Sequence, residues 1–128
     1  MINSTIILDF WFKECNPNMW FKKNQEFDNL ITTKFQKTFE YCLENKINNN
    51  SITRENYLSW IISLDQFSKN IYINQIKSFS GDKKDLELSK FAIKKGFLIS
   101  NEYHYNSFFL MPFMHSEKLS DNDFSLSL

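Results

Sequence analysis

The residues most able to do chemistry lie near the middle of the chain, where a strongly apolar run acquires several polar side chains. An acid, Asp65, and an amide, Gln66, are followed by Lys69 and a second amide, Asn70. Polar groups set among core residues need hydrogen-bond partners, because burying them unpaired costs free energy. A buried polar site is therefore expected in this stretch.

Helical phasing separates the acid from the amide that follows it. When residues are placed about 100° apart around a helix, Asp65 falls inside the apolar arc. Gln66 falls instead on a narrow polar strip that it shares with Ser59 and Ser63. Asp65 is therefore predicted to point inward, and Gln66 is predicted to lie on the polar side.

A second polar group follows the apolar residues of 103–113 and consists of His115, Ser116 and Glu117. Adjacent residues on a helical turn point about 100° apart, so these three cannot readily form a hydrolytic relay by themselves. Together with polar groups of another helix they could line a pocket for acid-base or hydrolytic chemistry. The catalytic candidates are then Asp65, Lys69, Asn70, His115 and Glu117. The preferred interpretation of the same residues is a structural network of caps and buried hydrogen bonds.

Four further residues are candidates for ligand binding, namely Trp11, Trp20, Gln66 and Asp82. Aromatic side chains at helical spacing are more often part of a core than of a ligand groove. Two glycines in the whole chain are too few for a phosphate-binding loop. The cysteines form no Cys-x-x-Cys pair, and the His-x-Glu sequence at 115–117 lacks the cysteines of a zinc deaminase. No metal site and no cofactor are predicted.

Composition narrows the class of protein. The chain has 128 residues with 15 basic and 15 acidic side chains, and this zero net charge argues against nucleic-acid binding. No apolar run approaches the roughly 20 residues that span a bilayer. The two cysteines, Cys15 and Cys42, follow no basic and apolar leader, so they are predicted to be free in a cytoplasmic protein.

Apolar periodicity and helix-end residues predict an all-α fold of roughly five helices, since no segment shows strand alternation. The predicted helices cover residues 4–13, 25–45, 53–67, 82–95 and 103–113. The first is expected to be capped by Ser4 or Thr5, the third by Ser51 or Thr53, and the fourth by Asp82. Pro112 is expected to end or kink the last helix.

The 17% of aromatic residues predicts one core built from large flat side chains. At this length the chain suits one domain, which is predicted to cover residues 1–119. Residues 120–128 are polar and lack a helical period, so they are predicted to form a frayed tail.

Several short motifs occur in a fixed order along the chain. They are residues 7–12 (Ile-Leu-Asp-Phe-Trp-Phe), Trp20-Phe21, Phe27-Asp28, residues 64–71 (Leu-Asp-Gln-Phe-Ser-Lys-Asn-Ile), Phe79, Asp82 and residues 111–117 (Met-Pro-Phe-Met-His-Ser-Glu). Their order and spacing resemble the DUF924 family of uncharacterised proteins over nearly the whole chain. The resemblance implies a tetratricopeptide-like arrangement of antiparallel helical hairpins, and it implies no activity.

Two departures from the family pattern stand out. Ser68 and Lys69 replace the proline and arginine of the usual Asp-Gln-Phe-Pro-Arg-Asn motif, which removes a stiff turn and a forked donor. Family members also usually continue well beyond the His-Ser-Glu motif, into a second motif of the Phe-Pro-x-Arg-Asn type. A shortened member would leave an apolar face exposed, through which the chain could self-associate or bind a partner.

These observations favour a binding or scaffold module for a peptide, a protein or a small ligand, because arrays of helical hairpins present concave binding faces. One alternative is an enzyme with a buried Asp/Asn/His/Glu pocket. A second alternative is a truncated, degenerate family member with little function left.

Overall fold

The computed structural model describes residues 2–48 and 53–115, and the regular elements in that part of the chain are all helical. The α-helices are Ser4–Asp9 (α1), Pro17–Phe21 (α2), Gln25–Glu44 (α3), Arg54–Ile62 (α4), Ser68–Ile71 (α5), Asp82–Lys94 (α6) and Tyr103–His115 (α7). Two π-helical turns, Phe10–Glu14 and Ser63–Phe67, and one 3₁₀ turn, Ile76–Phe79, complete the set. The predicted all-α fold is confirmed.

Asparagine and threonine side chains begin four of the helices. Asn3, Asn16, Asn24 and Thr53 each accept a hydrogen bond from the backbone N–H three residues later. These bonds satisfy N–H groups that a helix start otherwise leaves unpaired. The predicted caps Ser4 and Thr5 were one or two residues too late. Thr53 does cap α4.

Helix α3 buries one face and leaves the other exposed, as its periodicity predicts. The buried residues are Phe27, Asp28, Ile31, Phe35, Phe39 and Cys42. Apart from the adjacent Phe27 and Asp28, they recur every three or four residues, so they form one stripe along the helix. This stripe packs against the second π turn and α5.

The central helix consists of α4, the π turn Ser63–Phe67 and α5, and it is buried on nearly all sides. It contacts α1, α3, α6 and α7. The predicted polar strip is therefore wrong, since Ser59, Ser63 and Gln66 are all buried. The serine hydroxyls are satisfied locally, because each donates to a backbone carbonyl one turn earlier.

The aromatic core lies between the central helix, α3 and the start of the chain. The Phe67 ring stacks on Phe35 at 4.4 Å between centroids and meets the edge of Trp11 at 5.6 Å. Trp11 in turn stacks on Trp20 at 5.9 Å. Large flat side chains thus hold the first half of the chain to the central helix.

Helix α7 differs from its prediction at one end. It continues through Pro112 to His115, so the predicted end of the helix at the proline is wrong, and the alternative of a kink stays a prediction. The side chain of His115, and Ser116 and Glu117 entirely, lie outside the described residues, as does the predicted tail at 120–128. Among residues 2–48 and 53–115, no helix combines the length and apolar character needed to cross a bilayer.

Candidate functional site

Gly81 brings the start of α6 into direct contact with the central helix. A Cβ atom at this position would lie 2.5 Å from the carbonyl oxygen of Leu64. Any side chain larger than hydrogen would therefore push the two backbones apart. Gly81 also occupies the N-cap of α6, where the sequence predicted Asp82. Asp82 lies in the first turn instead, and its side chain is used elsewhere.

Three carboxyl groups meet at this contact and form what we call the acidic cluster: Asp65, Asp82 and Asp85. One carboxyl oxygen from each lies within 4.8 Å of the others. Asp65 and Asp85 are each only 1% exposed, whereas Asp82 is partly exposed. Asp65 comes from the π turn, and the other two come from the first turn of α6, three residues apart. The cluster is therefore a product of helix packing.

Lys69 is the cation that faces the acidic cluster. Its Nζ donates to Asp82 Oδ1 at 2.6 Å and to the carbonyl oxygen of Ser78 at 2.9 Å, and it lies 3.8 Å from Asp65 Oδ1. The same ammonium group sits 5.2 Å from the centre of the Phe79 ring. Lys69 thus joins α5, the 3₁₀ turn and α6 at one point.

Asp85 has a strongly raised pKa. Burial raises its pKa to about 10, with further upward contributions from the negative charges of Asp65 and Asp82, against a smaller lowering by Lys69. Asp85 therefore keeps its proton at neutral pH and shares it in a hydrogen bond with Asp65. Its second oxygen, Oδ2, is buried and has no hydrogen-bond partner among the described residues.

The two amides that flank Lys69 along the chain tie the central helix to other elements. Gln66 Nε2 donates to Asp65 Oδ2 at 3.1 Å and approaches the Met111 sulfur in α7 at 3.2 Å. Asn70 Nδ2 donates to Asp28 Oδ1 in α3 at 2.8 Å. Side chains of residues 65–70 therefore reach α3 and α7 as well as α6.

The structure brings together only part of the predicted site. Asp65, Gln66, Lys69 and Asp82 share the acidic cluster or contact it, whereas Asn70 pairs with α3. The candidates His115 and Glu117 have side chains outside the described residues, so their meeting with Asp65 stays a prediction.

The two tryptophan candidates lie in the aromatic core. Trp11 is fully buried, and its carbonyl oxygen accepts a hydrogen bond from Trp20 Nε1 at 2.8 Å. This placement agrees with the core interpretation that aromatic side chains at helical spacing favour.

Sequence reasoning missed three of the contributing residues: Asp28, Asp85 and Met111. Asp85 was not singled out, because an acid in the first turn of a helix is ordinary. A signal was present, because Asp82 and Asp85 are three residues apart and so lie on one helix face. The sequence does not show that this face of α6 points toward Asp65.

A run of exposed apolar side chains lies beside the acidic cluster, and we call residues 73–79 the apolar segment. Ile73 is 41% exposed, Ile76 is 91% exposed and Phe79 is 61% exposed. Phe79 contacts Lys69 as described above, so the segment and the cluster are neighbours.

A cavity of about 190 Å³ lies elsewhere, at α2 and the start of α3. Its lining residues are Asn16, Asn18, Met19, Lys22, Asn24 and Phe27. It shares no residue with the acidic cluster and is smaller than most ligand sites, which run from roughly 300 Å³ upward. The acidic cluster and the apolar segment are therefore better candidate functional sites than this cavity.

Comparison with known proteins gives a family and a structural neighbour. The family model described as "Bacterial protein of unknown function (DUF924)" matches residues 7–128. A solved structure of a protein of unknown function, ATU0120 from Agrobacterium tumefaciens, is 25% identical with a TM-score of 0.87. The alignment covers 97% of this chain and 70% of that chain. No curated protein matches the sequence significantly.

Proposed function

The chain belongs to the DUF924 family, whose description assigns no activity, and we propose that it is a binding module for a protein or peptide that docks on the apolar segment. The observation that carries the proposal is the exposure of Ile73, Ile76 and Phe79 within seven residues. Single exposed apolar residues are ordinary on a protein surface, whereas several large ones this close together in the chain favour an interaction site.

The apolar segment is held in a defined conformation. The backbone N–H of Gln75 donates to the Tyr72 carbonyl at 2.9 Å, and the N–H of Ser78 donates to the Gln75 carbonyl at 3.1 Å. The Ser78 carbonyl in turn accepts from Lys69. A partner would therefore meet an ordered surface, and this chain would lose little conformational entropy on binding.

The charges around the segment favour an acidic partner. Lys77 and Lys83 are close in sequence to Ile76 and Phe79, while Asp82 is engaged by Lys69. We therefore propose a partner that presents apolar side chains flanked by Asp or Glu, because rim charges of opposite sign speed and orient association. A second copy of this chain and a small ligand are the other occupants that the sequence predicted.

The tetratricopeptide-like arrangement and the cytoplasmic location remain part of this proposal. A concave face between helical hairpins suits peptide binding. Cys15 and Cys42 are both free and buried, which suits a reducing compartment.

A second candidate function is acid-base catalysis, and one observation favours it. A buried carboxylic acid that shares a proton with a neighbouring carboxylate is a recurring device of acid-base enzymes. The near-complete burial of Asp65 and Asp85 weighs against it, since a catalytic group must reach its substrate directly or through one water. The candidates His115 and Glu117 would have to supply that access. The third possibility, a degenerate family member, stays a prediction.

Site-specific photocrosslinking tests the binding module. A photoreactive amino acid placed at Ile76 is expected to capture one partner in cells, whereas the same group at the exposed residue Glu40 in α3 is not. The captured protein is then purified and titrated with this chain. Ile76→Asp is expected to weaken that binding at least tenfold, because it places a charge in the apolar contact.

Leu30→Asp is the matched control, since Leu30 is an exposed apolar residue on α3 and is not part of the segment. It is expected to leave the affinity unchanged. The proposal is overturned if position 76 captures nothing that position 40 does not, or if the captured protein binds Ile76→Asp as tightly as the wild type.

A further inference from the structure

The cavity at α2 and the start of α3 is lined by amide groups whose oxygens are already used. The side-chain oxygens of Asn16 and Asn24 accept backbone N–H groups at 3.2 and 3.1 Å. An asparagine amide that accepts through its oxygen still has two N–H donors. Neither amide nitrogen has a hydrogen-bond partner among residues 2–48 and 53–115. These two lining residues therefore have donors available for a ligand.

The cavity lining also carries a positive charge. Lys22 is its charged residue, and the other lining residues are three asparagines, a methionine and a phenylalanine. Within the part of the chain that the structure describes, Lys22 forms no ion pair with a carboxylate. An ammonium group and several amide N–H groups suit an anion, because hydrogen bonds to an ionised acceptor are the stronger kind.

The remaining lining and the volume limit what else the ligand can contain. Phe27 is buried and Met19 is half-buried, whereas Lys22 and the asparagines are exposed. A ligand with an anionic end and an apolar body would match this division. An apolar cavity of roughly 150 Å³ holds benzene, a molecule of six heavy atoms. The volume of about 190 Å³ therefore suits a ligand of roughly six to eight heavy atoms.

We propose that this cavity binds a short aliphatic carboxylate of about four or five carbon atoms. Its carboxylate accepts hydrogen bonds from the Lys22 ammonium group and from the amide N–H groups of Asn16 and Asn24. Its aliphatic chain packs against Met19 and Phe27. Apolar contact selects such a ligand over inorganic anions, since each buried CH₂ group contributes about 0.8 kcal/mol in transfer from water.

An NMR titration of the full chain with sodium butyrate tests the proposal. The side-chain NH₂ signals of Asn16 and Asn24 are expected to shift saturably, because these groups would donate to the carboxylate. Butyramide has the same shape without the charge, and inorganic phosphate is an anion without an apolar body. At equal ionic strength each is expected to bind about tenfold more weakly than butyrate.

Asn24→Asp separates ligand binding from helix capping. Aspartate caps a helix about as well as asparagine, so the variant should fold, with the far-UV circular dichroism of the wild type. It replaces the amide donor with an anionic oxygen and should weaken butyrate binding by about tenfold or more. Asn3→Asp is the matched control, since Asn3 caps α1 in the same way and does not line the cavity. Its affinity should stay within about twofold of the wild type.

A second pair of variants tests the charge. Lys22→Gln should weaken butyrate binding about tenfold, whereas Lys23→Gln, at a neighbouring exposed residue outside the lining, should leave it unchanged. The proposal is overturned if butyrate causes no saturable shift, if butyramide or phosphate binds as tightly, or if either cavity variant binds as tightly as its control. Butyrate binding should survive Ile76→Asp, so this test and the partner-binding test can fail separately.

Discussion

The two sides of the central helix are held in different ways. Toward α3 and the start of the chain it presents Phe67, which packs among aromatic rings. Toward α6 it presents Asp65 and Lys69, which meet two more acids across the contact made possible by Gly81. One side depends on buried area, which many shapes of side chain can supply. The side toward α6 depends on opposite charges and on the absence of a side chain at Gly81.

The difference shows where stability and where chemistry should be sought in this fold. The packed Phe and Trp rings carry no titratable group, so their contribution to stability responds to changes of volume and hardly to pH. The polar side holds the acid Asp85 with its raised pKa, so its stability responds to pH. Single substitutions can separate the two sides, beginning with the largest expected effect.

Phe67→Ala should cost the most. Its ring is fully buried between Phe35 and Trp11, so the substitution leaves a cavity and lowers the free energy of unfolding by about 3–5 kcal/mol. Urea denaturation measures the loss. Ile76→Ala, on the exposed apolar segment, is the comparison and should stay within about 0.5 kcal/mol of the wild type. Similar losses for both variants would refute the assignment of the core to this side.

Gly81→Ala should destabilise the polar side by about 3 kcal/mol, because the new methyl group meets the Leu64 carbonyl and must displace backbone. Gly96→Ala is the natural comparison. Gly96 has a φ of 76°, and a methyl group there would meet no atom within 4 Å, so the variant should lose only about 1 kcal/mol from backbone strain. Equal losses measured by thermal unfolding would mean that the contact with Leu64 relaxes freely.

The pH dependence of stability should change in Asp85→Asn. The pKa of Asp85 is raised to about 10 in the folded chain, whereas the unfolded chain loses this proton near its ordinary value of 3.8. Between these values the folded state holds the extra proton, so this group's stabilising contribution is complete below pH 3.8 and decreases as pH rises. The decrease is at most roughly 1 to 1.5 kcal/mol per pH unit.

Asp85→Asn should therefore gain stability relative to the wild type on going from about pH 6 to about pH 8. Urea denaturation at both pH values measures the gain. A gap between the two proteins that is constant with pH, or that moves the other way, would show that Asp85 is ionised in the folded state.

Asn70→Ala should have the smallest effect, about 1.5 kcal/mol, because it removes a single hydrogen bond to the buried carboxylate of Asp28. A double-mutant cycle with Asp28→Ala isolates the pair, and a coupling energy clearly above zero is expected. Additive losses would mean that the amide and the acid stabilise the fold independently.

The sequence predicted the aromatic side better than the polar side, for a physical reason. The buried residues of α3 recur at helical spacing because the opposite face of the helix is exposed to water. This alternation of apolar and polar residues is visible in the sequence. The central helix packs against protein on nearly every side, so its serines do not mark an exposed face. The polar face that the sequence predicted there does not exist. Their hydroxyls bond to their own backbone, which no spacing rule reveals.

The acidic cluster was predictable only in part. Asp65 was correctly predicted to point inward, and Lys69 was among the candidates. The other two acids of the cluster, Asp82 and Asp85, reach Asp65 only because α6 packs closely on the central helix. The absence of a side chain at Gly81 allows that close packing. Such an approach between separate helices leaves no local pattern.

The π turn Ser63–Phe67 has a consequence for how this protein could change over generations. A π turn holds about one residue more than an α-helical turn, so it is equivalent to a single residue inserted into an ordinary helix. Losing that one codon would restore the α-helix and rotate Lys69 and Asn70 by about 100° relative to α4. The salt bridge to α6 and the hydrogen bond to α3 would disappear in one step. These two contacts are therefore inherited together, although they lie on different sides of the helix.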